Sequence, residues 1–361
     1  MYQLTYEPVW KEVIPEENTY GDSILSYYIV SKAGEIEILP ENTVTHCSGA
    51  ASGSLKEERM QTENITKGII FFLTTAIGLC GNLLIVLLLF GIAFQEKKMM
   101  PVEIILCFLA TSNLMFLLNL GLPHSLFAFG VKYFYTDLGC KFGQIFMRSS
   151  RVMVISQTCL LSCFQAVTLA STNPTWAGLK SKMQKHIIPI IMFLWCLSVA
   201  SSISSALYPV VSINATELKH TMNLGYCLSV YPSKFLFDLI GFISFARDGT
   251  FVVLMAMASI YILVVLLSHR KQMKGKRSSD HSKDTTAELQ AAKMVVTFVT
   301  VYALLFGIEN TIWFYQIIFM KEANNALSDT RLYLSFYFSA SFPFILNAFY
   351  QKVKNKIRFC A

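Results

Sequence analysis

From residue 68 onward the chain alternates between long apolar stretches and short polar connections. The first stretch covers 68–94, with no charge between Lys67 and Glu96, and the second covers 101–122, opened by Pro101, a residue suited to a first helical turn. Five more follow at about 139–170, 187–208, 235–268, 291–319 and 332–350. Each approaches or exceeds the roughly 20 apolar residues needed to cross about 30 Å of hydrocarbon as a helix. The pattern predicts an all-α membrane protein, a seven-transmembrane-helix bundle. The third, fifth and sixth stretches are interrupted by charge, which places those residues on faces turned toward the bundle interior. Residues 1–66 show no apolar period that could dock on a bundle and read as an acidic, disordered tail. The expected domains are that tail, a seven-helix domain over 67–350, and a short basic tail over 351–361.

Composition narrows the class. The 361 residues are 54% hydrophobic and 15% charged, with a mean hydropathy of +0.49. A soluble domain is about 45–50% apolar and about 25% charged. A soluble enzyme is excluded by the lack of charge, and a disordered chain by the 13% of aromatic residues. The net charge of +7 is unevenly placed: residues 1–66 hold 11 acidic and 4 basic residues, a net of −7 that leaves +14 for the rest. That distribution does not point to nucleic acid.

Charge placement predicts orientation. The connections after spans one, three and five, with the tail after span seven, carry 16 basic residues, among them Lys97, Lys98, Lys180, Lys182, Lys185, Arg270, Lys271, Lys274, Lys276 and Arg277. The opposite connections offer Lys132, Lys141, Lys219, Lys234 and Lys321. Positive residues stay inside, so the N-terminus is expected outside and the C-terminus in the cytosol of a multi-pass plasma-membrane protein. The glycosylation acceptors Asn64-Ile65-Thr66 and Asn214-Ala215-Thr216 both fall on that outer side.

Of nine cysteines, Cys80, Cys107, Cys159, Cys163 and Cys196 lie inside spans as packing residues, and Cys47 lies in the acidic tail. Cys140, at the outer end of span three, and Cys227, in the following outer loop, share the oxidising face. A bond between them would close a loop worth about 4–5 kcal/mol on the chain-entropy model; two free outer thiols are the alternative.

Charged side chains within spans cost about 2.5–3.5 kcal/mol on insertion scales, so each needs a partner or a role. Arg148 and Arg151 are one turn apart on one helix face, about 12 and 16 Å below Cys140 at 1.5 Å per residue. Asp248 and Glu309 are candidate partners. One reading makes the arginines the floor of an outward-facing pocket, available to an anionic or carbonyl-bearing ligand. The other has them paired permanently with Glu309 or Asp248, locking the bundle. Met147 and Phe146 stand beside them as candidate ligand contacts, and Phe127, Phe129, Phe142, Trp313 and Tyr315 are candidate apolar lining. Arg247 and Asp248 lie about 100° apart on one helix, which predicts one facing the bundle and the other a loop or interface. His124 is expected on the outer face. There is no HExxH, GxSxG or GxxxxGK[ST] pattern and no paired carboxylates at helical spacing. No enzyme activity, cofactor or metal is expected.

Seven spans, an outer N-terminus, a bridge from span three to the second outer loop, and Gly81-Asn82 in span one resemble a G-protein-coupled receptor. The usual rhodopsin-like markers are replaced: Ser162-Cys163-Phe164-Gln165 stands where Asp-Arg-Tyr would be, Asn113 where an Asp is usual, and Ser341-Phe342-Pro343-Phe344 in place of Asn-Pro-x-x-Tyr. These replacements are similar to those of the vomeronasal type-1 receptors and their fish olfactory relatives. LATSNLMFLLNLGLPHSLFAFGVKYFYTDLGCKF (109–142), CLLSCFQAVTLA (159–170), Leu224-Gly225-Tyr226-Cys227 and VTFVTVY (296–302) carry the likeness, with Met257-Ala258-Ser259 and His269-Arg270-Lys271. Arg247 and Phe342 depart from the pattern.

The resemblance implies a chemosensory receptor for pheromones or small odorants, signalling to a heterotrimeric G protein of the inhibitory type. It places Gln165 near the coupling site, with Lys271, Lys274 and Lys276 on a basic inner rim that also meets anionic lipid. Cys360, behind Arg358, is a candidate acylation site. The rivals are a multispanning transporter, which would show internal repeats absent here, and another chemosensory family such as the bitter-taste receptors.

Residues 1–59 have no counterpart in the resembling receptors, whose N-termini are short, and Met60 stands directly before a short tail with one sequon. The leading segment is expected to be an upstream-start artefact or an unstructured extension. A chain beginning at Met60 should therefore reach the cell surface and respond like the full chain. Intracellular retention of the shorter chain, read by surface immunostaining, would contradict this.

Overall fold

The computed structural model describes residues 28–30, 36–38, 41–97, 99–131, 135–171, 174–203, 209–210, 221–223, 226–275, 282–319 and 325–349. Chain contacts divide it into two units, Met1–Thr66 and Lys67–Ala361. In the first, strands β1 (Tyr28–Val30) and β2 (Ile36–Ile38) pair antiparallel, with Ile29 opposite Glu37. Helix α1 begins at Glu41 and continues to Glu96, well upstream of the apolar stretch that starts at Gly68. Helical backbone bonds are satisfied in water as well as in lipid, so apolarity marks where a helix can span and not where it must begin.

The second unit is a helix bundle. Pro101 opens α2 (Pro101–Phe116), and the Glu103 carboxylate accepts the orphan backbone N–H of Met100 at 2.8 Å. A π-helical turn, Leu117–Gly121, joins α2 to α3 (Leu122–Ala128). Pro123 offers no N–H to close a regular turn there, and widening the helix relieves its ring from the preceding carbonyl. Gly130, at φ +87°, ends α3 in the left-handed conformation, with Val131 N–H returning to the Leu126 carbonyl at 3.0 Å. Thr136 caps α4 (Asp137–Ala170) by accepting the Gly139 N–H at 3.2 Å.

After α4 come α5 (Pro174–Lys185) and α6 (Ile187–Ile203), bent from each other by 68° at His186. The short strands β3 (Pro209–Val210), β4 (Thr221–Asn223) and β5 (Leu228–Val230) form an antiparallel sheet in the order β3-β5-β4. The long helices α7 (Lys234–Gly275), α8 (Ser282–Phe319) and α9 (Asn325–Phe349) complete the bundle. Among the described residues six helices are long and apolar enough to cross a membrane, and the bent α5–α6 pair, which passes the same test only when taken together, brings the count to as many as seven. The 17 residues of α6 sit at the short end of what spans a bilayer. Hydropathy does not reveal α5, because its apolar residues are too few and too spaced.

α4 is the hub. Of its apolar window, 78% is buried, against 17% for α7. It packs on α2, α5, α6, α7 and α8. Its polar neighbours Ser149, Ser150, Thr158 and Ser162 satisfy their hydroxyls on carbonyls three or four residues back, so they enter the core at little cost. α1 joins α9 by close approach: a Cβ placed on Gly81 would stand 2.8 Å from Pro343 Cβ, and one on Gly78 would stand 3.0 Å from Ala340 Cα. Beside them Asn82, fully buried, donates through Nδ2 to the Gly78 carbonyl at 2.8 Å and to the Ser339 carbonyl of α9 at 3.0 Å.

This seam makes a test. Gly81→Val should push α1 from Pro343, cost about 1–3 kcal/mol as overpacking, and lower both thermal stability and surface level. Gly91→Ala, where nothing lies within 4 Å of the added carbon, should leave both unchanged. Equal behaviour of the two variants in a detergent melting assay would remove the seam from the account.

Candidate ligand site

Arg151 stands three turns into α4 from Cys140, and helices α7, α8 and α9 each bring it a partner. Its NH1 donates to Glu309 Oε1 of α8 at 2.7 Å and its NH2 to Oε2 at 2.9 Å, a two-armed pair. NH1 also donates to Ser335 Oγ of α9 at 2.7 Å. From α7, Asp248 Oδ2 lies 3.8 Å from Arg151 Nε, while its Oδ1 accepts Arg247 Nε at 2.8 Å. Asp248 and Glu309 are both buried.

Asp248 faces the bundle and Arg247 lies at the interface with α6, yet the two side chains still meet. The long Arg247 side chain folds back across that angle, bonds its neighbour, and also donates to Ser201 Oγ of α6 at 3.4 Å. Two cations and two anions from α4, α7 and α8 thus share one buried patch, which resolves the desolvation that each alone would suffer.

Around this cluster lies a small cavity, about 10 Å³ and roomy enough for about one water, lined by Phe116, Arg151, Tyr302, Glu309, Ser335 and Phe338 among others. Arg148, one turn nearer the disulfide, is half-buried and donates through NH2 to the Tyr231 hydroxyl at 3.4 Å. Met147 is buried in a cluster with Cys140, Cys227, Phe116 and Phe336. Phe146 points elsewhere: it is 43% exposed and shares a helix face with the exposed Leu138 and Phe142, so the structure does not bring it to the cavity. Trp313 is buried among Phe242, Phe245 and Phe314, Phe127 is half-buried, and Phe129 and Tyr315 are exposed.

The Cys140–Cys227 bond is formed, its Cα atoms 6.0 Å apart across 87 residues of sequence. It ties the start of α4 to the sheet. Beside it the Tyr135 and Tyr226 rings lie 5.8 Å apart, and burial raises both phenols above the ordinary tyrosine value. Both stay neutral at any physiological pH. His124, expected on an open outer face, is buried edge-on to Phe71 at 4.3 Å.

At the far end of α4, Gln165 is buried. Lys271 and Lys274 lie in the last turns of α7 and Asn64 lies in α1. Lys276, Asn214 and Cys360 fall outside the described residues. Sequence reading misses Tyr302, Ser335 and Arg331. Arg331 sits in α9 and donates through NH1 to Gln316 Oε1 of α8 at 3.2 Å. It stands one residue before the uncharged stretch of span seven, and adding it to the sparse side of the charge balance leaves that balance unchanged in direction.

Long helices packed around a central, disulfide-tethered one define the class: a seven-helix receptor bundle. Squid rhodopsin shares this fold, with a TM-score of 0.64 over 82% of this chain and 80% of that chain at 15% identity. The model of the vomeronasal organ pheromone receptor family matches residues 65–358, and the chain belongs to that family. Among its relatives, "Olfactory receptor class A-like protein 1" of Danio rerio is 32% identical over 81% of this chain and 91% of its own length. "Vomeronasal type-1 receptor 1" of Homo sapiens is 28% identical over 71% of this chain and 73% of its own. Family and fold are those of receptors and not of enzymes.

The cluster predicts a severe and repairable defect. Arg151→Met leaves the buried Glu309 without its cation and Asp248 with Arg247 alone, costs about 3–5 kcal/mol and should abolish surface expression. Adding Glu309→Gln, with Asp248 kept as the partner of Arg247, should restore it, as read by surface staining. Full expression of the single variant would show that the pairing is dispensable.

Proposed function

We propose that the protein is a chemosensory G-protein-coupled receptor for small pheromones or odorants. The observation that carries this reading is the family match across the whole bundle, 65–358. In this reading the N-terminus and the disulfide face outward and the basic rim faces the cytosol, supported by the charge distribution between the two sets of connections. Asn64 and Asn214 then lie where glycans are added, and Cys360 lies where acylation would hold the tail against the inner leaflet.

The ligand enters from the disulfide end and stops at the polar patch. Arg151 is engaged by both arms of Glu309, so its role is to set the floor and hold α8 and α9 against α4. Arg148 lies one turn closer to the entrance, half-buried beside Tyr231. It is the arginine that meets an anionic or carbonyl-bearing ligand, with Met147 on the disulfide side of it; Asp248 and Glu309 act through Arg151. At the other end, Gln165 and the lysines Lys271, Lys274 and Lys276 meet an acidic surface on an inhibitory-type G protein, and the rim also draws anionic lipid.

A panel of small odorants applied to cells that express the chain with a promiscuous G protein, with calcium as the readout, tests the receptor assignment. Given an agonist, Arg148→Ala should abolish the response at unchanged surface level, and an unaltered dose–response curve would end its ligand role. Replacing Lys271, Lys274 and Lys276 by Gln should reduce signalling without loss of surface protein. Signalling equal to the parent would remove that loop from the coupling surface.

A further inference from the structure

Among the described residues, α5 is a helix that buries none of its side chains, yet its apolar residues are not scattered. At about 100° per residue, Trp176, Leu179 and Met183 fall within a stripe about 60° wide. Lys180 borders that stripe on one side and Lys182 on the other, and Lys185 lies on the opposite face. Met183 packs against the bundle core, while Trp176 and Leu179 are 43% and 40% exposed. Beyond the bend at His186, the exposed apolar surface continues on α6 through Ile188, Met192 and Phe193. Those residues belong to a span and face hydrocarbon.

The bend supplies the direction. A spanning helix tilts about 20° from the bilayer normal, so a helix 68° from it runs nearer to the membrane plane than to the normal. An apolar stripe flanked by lysines and lying along that plane has the form of an interfacial helix, in which the ring and leucine enter the acyl boundary and the lysines rise to the headgroups. We propose that α5 is a membrane-surface anchor that binds anionic lipid headgroups through Lys180 and Lys182, with Trp176 and Leu179 seated in the interface. The occupant of the face is lipid because exposed apolar residues follow on the spanning helix α6 directly beyond the bend, and because the charge of α5 is opposite to that of an anionic leaflet. A docked protein is the competing occupant. The proposal rests on the membrane placement and inward basic rim given above.

The full chain in nanodiscs of phosphatidylcholine and phosphatidylserine, with bromine on the acyl chains, tests it by fluorescence. The signal of Trp176 is the difference between the parent and Trp176→Phe. That difference should be lost to bromolipid quenching and be shielded from aqueous iodide. The ratio of shielded to iodide-exposed Trp176 should fall about fivefold for each of Lys180→Gln and Lys182→Gln, and only in discs that contain phosphatidylserine.

Quenching of Trp176 by iodide and not by bromolipid would overturn the proposal. So would shielding that arises only when a G protein is added, since the face would then be a protein-docking surface. Indifference to both lysine changes would remove the anionic lipid. None of these readings needs an agonist or a fixed orientation, since both leaflets of the disc have one composition. A failed odorant screen and a failed anchor are therefore distinguishable.

Discussion

A guanidinium one-third of the way across a membrane must find anions, and the arrangement of this bundle follows from how Arg151 finds them. α4 is buried on nearly every side, so its arginine cannot reach water or headgroups by extending along lipid. Its charge is met by Glu309 from α8 and Asp248 from α7, and its remaining donor capacity by Ser335 from α9. One side chain thereby sets the approach of three helices to the central one. Removing it would leave the Glu309 carboxylate buried without a cation, which is a larger penalty than the loss of any single apolar contact there.

The two ends of α4 are constrained differently. At the disulfide end, Cys140 and Cys227 hold the sheet over the start of the helix, and Tyr135, Tyr226 and Tyr231 fill the space beside it. At the opposite end no covalent tie exists among the described residues, and α4 passes through a short turn into α5, whose faces are exposed. A bundle locked at one end and open at the other suits a molecule that takes a small ligand on one side and meets a large partner on the other.

Close packing between α1 and α9 rests on the absence of side chains. Gly78 and Gly81 let the backbone reach Ala340 and Pro343, and Asn82 uses that proximity to bond the Ser339 carbonyl. That carbonyl lies one turn before Pro343, in the part of α9 where the proline has already removed a helical bond. Small residues and a backbone-seeking amide are how helices associate where lipid gives no hydrophobic driving force.

Much of this is legible in the residues. Hydropathy locates the seven spans because the bilayer imposes one length and one polarity on each of them. The Cys140–Cys227 pairing follows from their shared compartment, and Arg151, Asp248 and Glu309 stand out because charge within a span demands a partner. What the one-dimensional pattern does not carry is the direction and reach of side chains in three dimensions. Hence helical spacing gives Arg247 a face apart from Asp248 and does not show that its long side chain also bonds that neighbour; adjacency in the chain sets Phe146 beside Arg148, though that ring is exposed; and Ser335 and Tyr302, ordinary in their own helices, acquire meaning only where α8 and α9 meet α4. The break between α5 and α6 is invisible for a related reason. A 12-residue helix with three apolar side chains on one stripe has no hydropathic signature, and only the 68° turn into its neighbour shows that its axis departs from the direction of α6.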